Sequence, residues 1–290
     1  MKRFFLMSTL LLATMLVSAQ TKIAPKMKKG MKKVYVTEAK IGAPSKPTTT
    51  VTAETVYEVT DETADGYILD VYVTDVKSDA KDDESRIYSI ATEMLKDVHV
   101  EYLTDKEGKV MKILNAEERI KHISKMLDNV LAETPTLDKE KVNDIRKQLT
   151  GSISDESLLE SVQTTTSPLT LNGKTISTGT EEEYNTGQGI KMMRTYTVAD
   201  KSKIQSSAII NMNADDMKQM VTGLVEKIFP NQSDNLMDMF GSMISNLKID
   251  ASENATYTFQ KDGWIKSITS ENSYSTMGVS FQMSTKVSLK

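Results

Sequence analysis

Hydrophobic and polar positions along this chain change period several times. Residues 51–60 and 67–75 are rich in Val, Thr and Tyr and nearly alternate, which predicts two strands joined by a hairpin over 61–66. From Glu84 the period lengthens: Ile87, Ile90, Ala91, Met94 and Leu95 recur at helical spacing and predict an amphipathic helix. Alternation returns at 98–104 and 109–114, a second hairpin around Asp105-Lys106-Glu107-Gly108. Asn115 then caps a helix with Glu118 three residues on, its apolar face formed by Ile120, Ile123, Leu127 and Leu131 and its end set by Pro135. Two further helical patterns follow, one through Val142, Ile145 and Leu149, the other through Leu158, Leu159 and Val162.

Strands are predicted again at 175–184, 190–198 and 204–212, spaced as a meander. Beyond them Asn213 caps a helix with Met217, Met220, Val221, Leu224, Ile228 and Phe229 on one face, and a second helix spans 234–247. A hairpin of 249–259 and 264–270, turning at Asp262-Gly263, and a last strand at 278–289 complete the pattern. The two helix-then-hairpin units align 155 residues apart, matching Tyr102 with Tyr257, Lys106 with Lys261, Gly108 with Gly263 and Ile113 with Ile268. Strands linked by short turns pair antiparallel, and amphipathic helices must bury their stripes against something. The expected class is therefore α+β: a large antiparallel sheet, an open half-barrel or strongly curved, covered on one face by amphipathic helices.

The first residues change the picture of where this fold works. Lys2 and Arg3 precede an apolar run from Phe4 to Val17, and Val17-Ser18-Ala19 supplies the small residues read by a signal peptidase. The expected division is a signal peptide over 1–19, a basic arm and Pro-containing linker over 20–50, and one α+β domain over 51–290. The apolar run is shorter than the roughly 20 residues of a spanning helix, so no transmembrane span is expected after cleavage. The chain has no cysteine, which excludes a lipid anchor through that residue, cysteine nucleophiles and disulfides. An exported protein of a Gram-negative envelope, periplasmic or extracellular, is expected. Composition adds an exclusion: 36 basic against 40 acidic residues, and −6 once Lys2 and Arg3 leave with the leader, supply no footprint for nucleic acid. The local exception is Lys22 to Lys33, with six lysines, read as a solvated, partly disordered arm, with contact to anionic lipid head groups as the alternative.

The phrases Asn172-Gly173-Lys174-Thr175, Asn211-Met212-Asn213-Ala214-Asp215-Asp216 and Gly263-Trp264-Ile265 resemble those of uncharacterised secreted proteins from Gram-negative bacteria. The order of leader, hairpins, covering helices and returning strands resembles periplasmic lipoprotein carriers and related lipid-binding half-barrels. That resemblance implies a ligand cavity and brings no catalytic motif.

Candidate chemistry is sparse. His99 and His122 are the only histidines and lack a partner at metal-ligand spacing, so neither a metal nor another cofactor is expected. The run Glu181-Glu182-Glu183 is the densest acidic cluster near a strand and reads as a solvated edge. Methionine is unusual, 18 in all, and concentrates in the last helices. Flexible, polarisable side chains suit an adaptable apolar surface. The residues expected to hold a ligand are Met217, Met220, Leu224, Met237, Phe240, Met243 and Trp264. The leading expectation is a non-catalytic envelope binding protein holding a lipid or other apolar ligand between sheet and Met-rich helices. A protein-interaction module partnering another envelope protein, without a cavity, and a carboxylate-dependent hydrolase are the alternatives.

Overall fold

The structure, a computed structural model, describes residues 20–42, 48–79, 96–115, 117, 121, 125, 159–160, 162–185, 190–212, 216, 249–276 and 279–290. The described chain is built from strands. The first half holds β1 (Thr21–Lys22), β2 (Lys32–Gly42), β3 (Thr49–Glu62), β4 (Gly66–Ser78), β5 (Val100–Asp105) and β6 (Val110–Ile113). The second holds β7 (Thr175–Ile176), β8 (Glu181–Asn185), β9 (Lys191–Asp200), β10 (Lys203–Ile210), β11 (Ile249–Phe259), β12 (Ile265–Thr276) and β13 (Val279–Leu289).

Eleven strands form one antiparallel sheet in the order β6-β5-β4-β3-β2-β13-β12-β11-β10-β9-β8, and β1 pairs β7 in a separate ribbon. Two meanders, one running outward from β2 and one from β13, are joined where β2 pairs with β13. The hairpins and the β8–β9–β10 meander lie where alternation places them. The 175–184 stretch is split: Gly179, with φ of 85°, separates β7 from β8.

The α+β class with helices covering the sheet is corrected by the structure. Of the described residues 65% are in strands and 4% helical, and among them no helix covers the sheet. The described fold is β, and the helical segments expected at 84–95, 115–135, 140–149, 213–229 and 234–247 lie, apart from isolated positions, outside the described residues. Helical periodicity reports which side of a segment is apolar, not whether that side reaches the sheet. Over the described chain the covering is supplied by the 163–174 turns and the N-terminal strap, and of the expected helical pattern through Leu158, Leu159 and Val162 the described residues 159, 160 and 162 are helical, with Leu159 and Val162 packed against the core.

Period-2 alternation divides the sheet cleanly. One face carries Tyr35, Tyr57, Val59, Leu69, Tyr102, Tyr196, Ile204, Tyr257 and Ile268, all buried in a single cluster. The other carries Thr195, Gln205, Asn254, Thr269, Ser284 and Lys286 and lines an open concavity of about 680 Å³ stretching from β9 to β2. One wet face and one buried face are what an antiparallel sheet permits.

The expected solvated arm is instead a strap across the apolar face's edge. Ile23 and Met27 are buried, and Ile23 exchanges backbone bonds with Lys174 and Gly173. Lys26 N donates to Asp262 O at 2.8 Å, and Trp264 Nε1 donates to Lys26 O at 3.0 Å. Strap and turns meet where two glycines admit them. A Cβ on Gly263 (φ 85°) would lie 2.8 Å from Ala24 O, and one on Gly108 (φ 79°) would lie 3.0 Å from Pro25 Cγ. These are the glycines matched by the 155-residue alignment, and the match extends to hydrogen bonding. Gly108 N donates to Asp105 O and Asp105 N to Lys109 O, as Gly263 N does to Gln260 O and Gln260 N to Trp264 O. Tyr102 faces Ile113 across one hairpin and Tyr257 faces Ile268 across the other.

Candidate functional site

The registers of β2 to β5 set Tyr35 opposite Thr55, Tyr57 opposite Val71, and Leu69 opposite Tyr102, so these side chains share the apolar face. Residues 162–169 pass over them as a roof. Between floor and roof lies a partly open cavity of about 430 Å³, floored by Tyr35, Tyr57, Val71 and Tyr102 and roofed by Val162 and Leu169. Thr37, Thr55, Thr164, Thr166 and Ser167 place hydroxyls in its wall. The floor is rigid: Tyr35 donates its hydroxyl to Ile265 O at 2.6 Å and meets Tyr57 edge-on, centroids 5.4 Å apart. Burial pushes both hydroxyls far above the ordinary tyrosine range, and neighbouring tyrosines add to it, so both remain neutral donors.

The roof is held from its other side by charge. Arg194, fully buried on β9, donates from Nη2 to Thr165 Oγ1 at 3.2 Å and from both terminal nitrogens to Gln163 O at 3.4 Å. Its guanidinium carbon stands 4.0 Å from the Tyr184 ring centroid. Glu253, buried on β11, accepts hydroxyls from Thr165, from Tyr184 at 2.7 Å and from Tyr274 at 2.6 Å. Glu182 accepts Lys174 Nζ and Tyr196 OH at 2.5 Å each and lies 3.8 Å from Arg194 Nη1. Burial alone would raise the Glu182 carboxyl, but Lys174, Tyr196 and Arg194 outweigh it and hold the group below the usual carboxylate range. Two cations and two carboxylates thus balance within one cluster, and none of the four lines the cavity.

The solvated-edge reading of the glutamate run therefore fails at Glu182, whose side chain turns inward while Glu181 and Glu183 stay outward on β8. Arg194 and Glu253 escaped the sequence reading, although period 2 marks both. Met192-Arg194-Tyr196 and Ala251-Glu253-Ala255-Tyr257 are inward series with a charge among apolar residues.

Of the residues expected to touch a ligand, Met217, Met220, Leu224, Met237, Phe240 and Met243 lie outside the described residues. Trp264 is buried at the β11–β12 turn beneath the strap, 5.9 Å from the Lys33 ammonium, and is not part of the described cavity wall. His99 precedes β5 on the wet face, its Nδ1 2.7 Å from Asp70 Oδ2 and its ring stacked on Tyr72. His122 lies outside the described residues.

No family model matches the chain, and no curated protein does. Among solved structures it is similar to one described as lipid-protein interactions in lipovitellin, at 12% identity and a TM-score of 0.43, over 91% of this chain and 25% of that one. The chain thus spans about a quarter of that protein's length. A likeness at this level assigns neither a fold family nor a function.

Proposed function

We propose that this chain is an exported, non-catalytic binding protein that holds an apolar ligand in the cavity between the Tyr35/Tyr57/Tyr102 floor and the 162–169 roof. The observation that carries the proposal is the cavity. Its 430 Å³ lies within the usual range for small-ligand sites, and its wall is uncharged, mixing aromatic and aliphatic surface with the hydroxyls of Thr, Ser and Tyr that can fix orientation. The described wall residues include no carboxylate, so the acid pair a hydrolase needs is not among them. The site differs from the one expected beside the Met-rich segment, although the ligand class is the same. Export rests on the basic-apolar-small pattern of residues 2–19.

Two measurements test this. Intact mass of protein recovered from expressing cells is expected to begin at Gln20; a chain still starting at Met1 refutes export. Solvent extraction of the same protein is expected to release an apolar small molecule seen by mass spectrometry, and Val71→Trp or Thr164→Trp, filling the cavity from floor or roof, is expected to abolish it. Equal recovery from both folded variants refutes the cavity as the site.

A further inference from the structure

Resting on that reading, we infer that the cavity selects an uncharged, single-chain amphiphile with a hydroxyl- or ester-type head over an ionised one. The first observation is charge. Every described wall residue is Tyr, Thr, Ser, Val, Leu or Pro, from the floor strands to the roof, so neither a carboxylate nor an ammonium finds a counter-ion in the described wall. An unpaired charge in such surroundings is strongly disfavoured, whereas a hydroxyl or ester oxygen is satisfied by groups that both donate and accept.

The adjoining ionic cluster does not change this. Arg194, which bonds the roof at Gln163 and Thr165, and Lys174 are matched by Glu182 and Glu253 within their own network. No net charge remains there to attract an ion. Thr165 separates the two environments: its hydroxyl serves Arg194 and Glu253, while Thr164 and Thr166 on either side of it face the cavity.

The second observation is size. At roughly 30 Å³ per water-sized unit, 430 Å³ holds about fourteen such units. That suits one chain of about a dozen carbons with a small head rather than a two-chain lipid.

The test uses three probes that differ only in head charge: dodecanol, dodecanoate and dodecylammonium, titrated calorimetrically at pH 7.4 and below their aggregation concentrations into delipidated mature protein. Dodecanol is expected to bind at least tenfold tighter than either ion, and Val71→Trp and Thr164→Trp to lose that binding. Equal or tighter binding of an ionic probe, lost in the same variants, overturns charge selection and leaves the cavity standing as the site. Binding of none of the three overturns the cavity reading itself, and with it this inference.

Discussion

Arg194 and Glu253 occupy strand positions that the pleat turns inward, where a charge survives only with partners; both terminal nitrogens of Arg194 have them, while its buried Nε has none. Glu253 gathers the hydroxyls of Thr165, Tyr184 and Tyr274, so removing it strands three donors at once. Glu253→Ala is expected to lower unfolding free energy by about 3 kcal/mol, from unpaired donors more than from lost packing, as read from urea denaturation. Glu182→Gln leaves Lys174 and Arg194 with excess positive charge. It is expected to cost about 3 kcal/mol at pH 7, the low end for breaking a buried pair because 26% of the Glu182 side chain still reaches water. The pH dependence has a definite sign. A carboxyl held below its unfolded value of 4.5 contributes stability that is full above that pH and is lost as pH falls through the folded value. The wild-type thermal midpoint is therefore expected to drop steeply below about pH 4.5, and the drop to be shallower in Glu182→Gln. Some slope persists in the variant, because the Asp262 carboxyl is also depressed: burial opposes the shift, but Lys33 and Trp264 N outweigh it. At this scale alternation already marks the inward charges. Their distant partners come from two strands and a turn far apart in the chain, so pairing was invisible to local pattern.

The two matched turns act as seats for the strap, and the scale of elements shows what their glycines do. Gly263 combines a left-handed backbone with the close approach of Ala24 O, whereas Gly179 has the same φ with nothing near its Cβ position. Gly179→Ala is expected to cost about 1 kcal/mol from backbone strain alone, and Gly263→Ala about 2 to 3 kcal/mol, because the strap must also shift. Equal costs in thermal denaturation would show that the strap contact is slack. Turn chemistry was the most legible feature of the chain: Asp-Lys-Glu-Gly and Lys-Asp-Gly announce tight reversals through residues only a few positions apart. The strap was not legible, because its six lysines outweigh Ile23 and Met27 in any local average, and its burial depends on turns that follow it by more than 80 and 230 residues. The cover over the sheet misled for a related reason. Helical stripes suggested a roof, while the described roof has only Val162 from such a stripe and continues over 163–169 as turns rich in Thr with no period.

For the whole molecule, the single tryptophan reports on whether strap and sheet are joined. Trp264 is 1% exposed and bonded to the strap's Lys26 carbonyl. Deleting residues 20–27 is expected to shift its emission to longer wavelength and lower the thermal midpoint; unchanged emission with unchanged stability would show the strap to be dispensable. The central seam has a consequence for biosynthesis. β2 and β13 are neighbours although they stand near opposite ends of the chain, with Tyr35 beside Leu289 and Gly42 beside Gln282. β13 emerges from the ribosome more than 200 residues after β2, so until it does β2 presents a bare, hydrogen-bonding border to the surroundings. Closing so distant a pair is intrinsically slow. A polypeptide made this way gains from chaperone cover until its two borders meet.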